Sequence, residues 1–225
     1  METLMLIVHH LENSRSQRVL WLLEELGAPY EVKRYERDPV TGLGPQALYD
    51  IHPLGKSPMI EDNGEIIAET GAIFEYILDT YDTRGDWRPV RGTPEARSLS
   101  YWLHYAEGSA MLPLLLKLVF SRLPERSPAL MRPIVRRVSA KTEDSFIDPR
   151  ISEHVSYWEA HLTKNAWFSG AEFGAADIMM SFPLEAAGSR FPTEAFPKMA
   201  AFLEAIHARP AYQRALEAGG PYAYA

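Results

Sequence analysis

The chain has 225 residues, of which 46% are hydrophobic and 24% are charged, values typical of a globular protein with one or two domains. Its 30 acidic and 23 basic residues give a formal net charge of −7, which argues against broad nucleic-acid binding. The chain contains no cysteine, which excludes disulfides, zinc fingers, iron–sulfur clusters and every thiol nucleophile.

The first part of the chain alternates between strand and helix patterns. An apolar run over residues 4–10 predicts a buried strand, and the amphipathic helix that follows ends at Gly27. A second strand is predicted over residues 30–35. Because a helix separates the two strands, they should pair in parallel, with the helix as the crossover connection.

A hairpin and another helix complete this first domain. The Asn63-Gly64 pair predicts a two-residue turn between strands at 59–61 and 65–68, after a short helix near 46–51. A further helical stripe covers 73–81. The order of elements therefore predicts a small mixed sheet with helices over residues 1–82.

The composition changes beyond this point. Residues 83–92 are polar and rich in helix breakers, which is typical of a linker, and residues 93–225 carry helix patterns only. The second domain is therefore predicted to be a helical bundle. Its helices are predicted near 94–122, 128–146, 151–163, 175–187 and 197–217.

Membrane and metal binding are not expected. The most apolar stretch, 111–120, is shorter than the roughly 20 residues that a bilayer requires, and no signal peptide is recognisable, so we expect a cytoplasmic protein. His154 and His161 are two helical turns apart, too far to share a metal ion. His9 and His10 should point to opposite faces of a strand, so they also make a poor metal site.

Three segments of the first domain carry polar groups that could bind a ligand. Ser14 follows the first strand, where α/β folds bind ligands, although Ser14 or Ser16 could serve only as a helix cap. Pro58 precedes a strand and is a candidate cis proline, with an ordinary trans bond as the alternative. Glu69 and Thr70 open a helix: Glu69 could bind an ammonium group, and Thr70 could bind a carboxylate or simply cap the helix.

Together with the domain order, these segments resemble the cytosolic glutathione S-transferase family over nearly the whole chain. The resemblance rests on Ser57-Pro58, Glu69-Thr70 and the segments 170–178 and 209–215. Residues 9–31 most resemble bacterial and fungal members with a serine in the catalytic loop. The resemblance implies a thioredoxin-like domain (βαβ-ββα) followed by an all-α domain.

The resemblance also implies roles for individual residues. Ser14 would hydrogen-bond the glutathione sulfur and favour its thiolate. Ser57, beside Pro58, would pair its backbone with the cysteinyl residue, while Glu69 and Thr70 would hold the γ-glutamyl ammonium and carboxylate. Lys56 could meet the glycyl carboxylate or could be a solvated surface lysine.

The electrophile pocket is expected on the first helix of the second domain. Tyr101, Tyr105 and Leu112 share a helical face, and Tyr105 is the best single candidate for a substrate contact. Plain core packing is the alternative for this face. Gly174 stands where the family's helix-capping box usually begins with Ser or Thr, a change that should cost only a few tenths of a kcal/mol.

The predicted function is conjugation of glutathione to small hydrophobic electrophiles by a homodimeric transferase. Glutathione would be the co-substrate, and no cofactor, metal, nucleic acid or membrane partner is expected. Two alternatives remain: glutathione-dependent reduction of organic hydroperoxides, and a non-catalytic glutathione-binding module.

Overall fold

Residues 5–191 and 195–224 are described by a computed structural model of the chain. By internal contacts the chain divides into two units. The first comprises the described residues of Met1–Leu99 and Ala205–Ala225, and the second comprises those of Ser100–Glu204. The contacts thus group the C-terminal segment with the first unit, whereas the sequence pattern assigns it to the helical domain. The domain boundaries at residues 82 and 93, which are placed where the sequence pattern changes from mixed strands and helices to helices only, stay a prediction.

A four-stranded mixed sheet forms the centre of the first unit, with strand order β2-β1-β3-β4. Strands β1 and β2 pair in parallel, whereas β1–β3 and β3–β4 are antiparallel, which confirms the predicted crossover and hairpin. The elements are β1 (Leu6–Leu11), α1 (Ser16–Leu26), β2 (Tyr30–Tyr35), α2 (Gln46–Tyr49), β3 (Met59–Asp62), β4 (Glu65–Ala68) and α3 (Thr70–Tyr81).

Local chemistry accounts for the ends of these elements. Gly27 caps α1 with φ 65°, a left-handed conformation that glycine adopts without steric cost. Asn63 and Gly64 have φ values of 50° and 84°, as a two-residue hairpin turn between twisted strands requires.

The remaining regular elements of the described chain beyond α3 are helices, several of them joined by loops. Their bounds are α4 (Pro94–Tyr105), α5 (Met111–Arg122), α6 (Arg132–Thr142), α7 (Asp148–Lys164), α8 (Ala175–Gly188), α9 (Pro197–His207) and α10 (Pro210–Gly219). π-Helical turns at Ala106–Ala110 and Glu143–Ile147 join α4 to α5 and α6 to α7. The predicted helices at 128–146 and 151–163 are therefore one continuous helical stretch.

The single helix predicted over 197–217 is wrong, because Pro210 begins a new helix. Proline has no N–H to donate to the preceding turn, and Arg209 before it is extended. The resulting helix α10 packs on α1 within the first unit. There the Trp21 and Tyr212 rings form a T-shaped contact at a centroid distance of 5.0 Å, and Arg209 forms a bidentate ion pair with Glu25.

Helix α8 is buried along almost its whole length in the second unit and begins at a capping box. The Asp177 carboxylate accepts hydrogen bonds from the backbone N–H groups of Phe168 (2.6 Å), Ser169 (3.3 Å) and Gly174 (3.0 Å). These bonds satisfy donors that the start of a helix and its preceding loop would otherwise bury unpaired.

Candidate functional site

Ser14 lies in the loop between β1 and α1, at the carboxyl end of a parallel strand. It is 6% exposed, and its Oγ is 2.7 Å from Ser16 Oγ and accepts a hydrogen bond from the Ser16 N–H at 3.2 Å. Asn13 before it has φ 49°, which turns the loop sharply. Ser14 Oγ therefore accepts a hydrogen bond at the start of α1. The hydroxyl proton of Ser14 is not used in that bond, so it can be donated to another group.

A cavity of about 310 Å³ opens in the first unit beside this loop. It brings together five of the residues that the sequence selected, although they come from two separate segments. Ser14 does not line it, whereas the neighbouring Arg15 does. The lining residues are Arg15, His52, Leu54, Lys56, Ser57, Pro58, Ala68, Glu69 and Thr70.

The segment before β3 is held against β1 by the Ser57 side chain. Ser57 Oγ donates to the carbonyl oxygen of His9 at 2.9 Å and accepts from the Leu11 N–H at 3.2 Å. The peptide bond between Ser57 and Pro58 is cis. The Ser57 hydroxyl is already engaged in these two hydrogen bonds, so the backbone of Ser57 is the part that could bind a ligand. A backbone contact is also what the sequence resemblance implies.

Glu69 and Thr70 stand at the start of α3. Glu69, rather than Thr70, occupies the N-cap position, so the simple capping role considered for Thr70 is not what the structure has. Glu69 is exposed with φ 73°, and Thr70 is the buried first residue of the helix. Both line the cavity, and the positive end of the helix dipole lies there.

The candidate electrophile residues lie on α4 and α5 in the second unit. The Tyr101 and Tyr105 rings stack at 5.4 Å, and the Tyr101 hydroxyl is 3.1 Å from that of Tyr157. Leu112 lies about two turns further along, on α5, with 58% of its surface exposed. The structure joins the two tyrosines in one cluster, and a role for Leu112 in an electrophile pocket stays a prediction.

Tyr105 is anchored by hydrogen bonds. Its hydroxyl accepts from the indole N–H of Trp158 at 3.0 Å and is 2.5 Å from His154 Nδ1. Burial raises the pKa of the Tyr105 hydroxyl and lowers that of the His154 imidazole, so both are neutral near pH 7. A neutral phenol in an aromatic cluster can donate or accept a hydrogen bond but carries no charge to a substrate.

Sequence reasoning missed several residues of the site. Arg15, His52 and Ala68 line the cavity, yet none of them was a candidate site residue. Adjacency to Ser14 was a usable signal for Arg15, whereas nothing in the local pattern marks His52. Within residues 5–191 and 195–224, no cluster of three or more His, Asp or Glu side chains could hold a metal ion, and no helix is long and apolar enough to cross a membrane.

Comparisons with known proteins agree with this fold. The chain matches the N-terminal domain of glutathione S-transferases over residues 5–79 and their C-terminal domain over residues 131–218. Glutathione S-transferase 3 of Schizosaccharomyces pombe is 33% identical, over 95% of this chain and 87% of the relative. Glutathione S-transferase 1 of Saccharomyces cerevisiae is 31% identical, over 93% of each chain.

A solved structure extends the likeness to three dimensions. The glutathione S-transferase of Actinobacillus pleuropneumoniae superposes with a TM-score of 0.82 at 31% identity, covering 98% of this chain and 95% of the other. Identity above 30% over nearly the whole length, combined with a common fold, reflects one family. The chain therefore belongs to the glutathione S-transferase family and is an enzyme of that family, with glutathione as its co-substrate.

Proposed function

We propose that this enzyme activates the glutathione thiol at Ser14 and adds the thiolate to a small hydrophobic electrophile. The observation that carries the proposal is the cavity that unites Lys56, Ser57, Pro58, Glu69 and Thr70. At about 310 Å³, it has the volume of a small-ligand site, so a tripeptide could lie there with its thiol near the Ser14 loop.

The charges around the cavity support a ligand of this kind. Glutathione carries two carboxylates and one ammonium group. The cavity offers Lys56, Arg15 and the α3 N-terminus to anions, and the Glu69 carboxylate to a cation. Lys56 would then bind the glycyl carboxylate, and the Glu69-Thr70 pair would bind the γ-glutamyl end.

Ser14 would act by hydrogen bonding to the sulfur. A free thiol has a pKa near 8.5, and one charge-assisted hydrogen bond stabilises the thiolate by about 1.5–3 kcal/mol, enough to lower the thiol pKa by about one to two. Catalysis would thus consist mainly of thiolate stabilisation and positioning. The Tyr101–Tyr105 cluster would contact the electrophile through its ring faces.

Ser14→Ala tests the role of this hydroxyl, with Ser14→Thr as the control that keeps it. We expect Ser14→Ala to bind glutathione within about threefold of wild type but to lose roughly 8- to 25-fold of turnover with an aryl halide at pH 7, because the thiolate is less populated. Glutathione affinity and turnover with an aryl halide and an organic hydroperoxide should be measured on both variants.

The same measurements separate the other possibilities. Unchanged turnover in Ser14→Ala would refute Ser14 as the activating group. Turnover with the hydroperoxide alone would favour a peroxidase, and glutathione binding without turnover of either substrate would favour a binding module. Failure of the wild type to bind glutathione would refute the site as a whole.

A homodimer and a cytoplasmic location are part of the proposal. Large apolar side chains remain exposed on α5, on α6 and in the segment between them in the second unit, and such a patch usually marks a surface that another protein covers. They are Leu112, Leu115, Val119, Leu123, Leu130, Met131, Ile134 and Val138. Dependence on reduced glutathione supports the cytoplasm, where the thiol is kept reduced.

A further inference from the structure

Behind Ser14, a short chain of hydrogen bonds leads into the protein interior. Ser14 Oγ is 2.7 Å from Ser16 Oγ, which in turn is 2.9 Å from His10 Nδ1. Ser16 is fully buried, and His10 is 3% exposed. The three side chains form a line from the end of β1 to the catalytic loop, shielded from water.

The number of protons and lone pairs on each hydroxyl decides which way the Ser14 proton points. A serine hydroxyl has one proton to donate and two lone pairs that accept. One lone pair of Ser14 Oγ is already used by the Ser16 N–H at 3.2 Å. If Ser16 donates its hydroxyl proton to Ser14, both lone pairs are filled and the Ser14 proton remains for the ligand. If Ser16 donates instead to His10, or to the carbonyl oxygen of Leu11 at 3.3 Å, Ser14 is left to donate to Ser16 and its proton turns inward. Of the two acceptors that remain when His10 donates, Ser14 Oγ is the nearer to Ser16 Oγ, at 2.7 Å.

We infer that His10 is a positioning residue that orients the Ser14 hydroxyl through Ser16. With its proton on Nδ1, His10 donates to Ser16, Ser16 donates to Ser14, and Ser14 donates to the thiolate. The arrangement also polarises the last hydroxyl, since each bond in a hydrogen-bonded chain strengthens the next. This inference rests on the proposed role of Ser14 and adds what fixes the direction of its proton.

The surroundings of His10 keep its ring neutral and fixed. Burial, together with the charge of Arg34 on the neighbouring strand β2, lowers the pKa of His10 to about 4. Neutral imidazole carries one N–H, so the position of that proton decides whether Nδ1 donates or accepts.

Helix α10 closes over the other side of the ring. A Cβ added at Gly219 would lie 3.1 Å from His10 Cε1 and 2.6 Å from Gln17 Oε1, which leaves no space for a side chain. Arg34 donates to the carbonyl oxygen of Ala218 at 2.9 Å and so fixes this end of the helix. The ring is therefore packed between β2, α1 and α10, with Arg34 the charged group facing it.

The test measures the pKa of the thiol of bound glutathione by its ultraviolet thiolate absorbance during a pH titration of the full-length protein. Wild type, Ser14→Ala, Ser16→Ala and the double variant form a cycle. We expect Ser16→Ala to reduce the thiolate fraction at neutral pH about threefold to tenfold, with glutathione affinity at pH 5.5 unchanged. In the Ser14→Ala background, Ser16→Ala should have no further effect, because it acts through Ser14.

The outcomes distinguish this inference from the proposed function. If Ser14→Ala leaves the thiol pKa unchanged, the role of Ser14 fails. If Ser14→Ala raises it and Ser16→Ala does not, the role of Ser14 stands and the His10 relay is refuted. Additive effects of the two substitutions would also refute the relay, because Ser16 would then act independently.

His10 itself is tested with two variants. The amide nitrogen of His10→Asn can replace Nδ1 as a donor, so the thiolate fraction should stay within about twofold of wild type, whereas His10→Leu should match Ser16→Ala. If His10→Leu fails to fold, ¹⁵N NMR of histidine-labelled wild type gives the answer, with the His10 signals assigned by their loss in His10→Asn. Protonation at Nδ1 is expected, and protonation at Nε2 alone would overturn the inference.

Discussion

At the scale of single residues, Glu69 combines an unusual backbone with a side chain that lines the cavity. Its φ of 73° is a conformation that side chains with a Cβ rarely adopt, at a cost of about 1–3 kcal/mol. Such strain persists where the surrounding structure and a ligand contact hold the residue in place. The ammonium contact proposed for the carboxylate would be a functional reason to keep a strained non-glycine residue here.

Paired substitutions separate the two properties of Glu69. Glu69→Ala and Glu69→Gly both remove the carboxylate, so each should weaken glutathione binding about tenfold by calorimetry. Only Glu69→Gly relieves the backbone strain, and its free energy of unfolding in urea should exceed that of Glu69→Ala by about 1 kcal/mol. Equal stability of the two variants would argue against strain at this position.

His10 should link stability to pH. Its pKa is about 4 in the folded protein and near 6.5 in the unfolded chain, so the unfolded chain binds the proton first as the pH falls. The free energy of unfolding must therefore decrease below about pH 6.5. Between pH 7.5 and pH 4, wild type should lose about 2–4 kcal/mol more than His10→Asn in urea titrations. Parallel pH profiles of the two proteins would contradict a buried neutral His10.

At the scale of elements, the cap of α8 explains why glycine stands at position 174. The sequence suggested only that Gly174 is a tolerable replacement for the usual Ser or Thr. A Cβ there would lie 2.7 Å from Ser169 Oγ, and the Ser169 hydroxyl hydrogen-bonds the Asp177 carboxylate. Burial raises the pKa of Asp177 to about 6. Because this pKa is still below 7, the carboxylate is ionised at neutral pH, and the hydrogen-bond donors around it offset the cost of burying its charge. Ser169 thus supplies a hydroxyl to the cap, which a side chain at 174 would displace.

Restoring the usual capping residue should consequently harm the protein. Gly174→Ser is expected to lower the free energy of unfolding by about 1–3 kcal/mol, because the new Cβ collides with Ser169. Adding Ser169→Gly should recover part of that loss, since the collision is removed and the new hydroxyl can cap α8, whereas the Asp177 carboxylate loses the Ser169 hydroxyl. Urea unfolding of the two single variants and the double variant measures the coupling, and a more stable Gly174→Ser protein would contradict it.

At the scale of the whole molecule, the apolar rows on α5 and α6 carry the prediction of a dimer. Val119 is 46% exposed and Ile134 is 59% exposed, fractions that leave much apolar surface in water if nothing covers them. Both helices belong to the second unit, and their exposed rows follow helical spacing.

A lysine in these rows should separate the subunits. We expect Val119→Lys and Ile134→Lys to elute as monomers in size-exclusion chromatography with light scattering, since a buried unpaired charge opposes association. Ser121→Lys, about 200° away from Val119 around α5, is the matched control and should remain dimeric. Dimers of unchanged stability in both test variants would place the dimer contact elsewhere.

The amino-acid sequence by itself determined the parts of this protein that depend on local pattern. The crossover, the Asn63-Gly64 turn and the helical character beyond residue 93 follow from spacing and turn chemistry, which act over a few residues. Family motifs also pointed to the candidate residues from Ser14 to Thr70. Helix ends were less predictable: Pro210 was a readable break, but the π-helical turns have no simple sequence signal.

Only the tertiary structure decided how distant residues meet. The strand order β2-β1-β3-β4 brings the Ser57 segment beside β1. Ser57 lies just before β3, and β3 pairs with β1 although the two strands are far apart in the sequence. Packing also joined His10 to Ser16 across a sharp loop. Local patterns cannot specify these contacts, because they depend on long-range burial and on which side chain fills each space in the core.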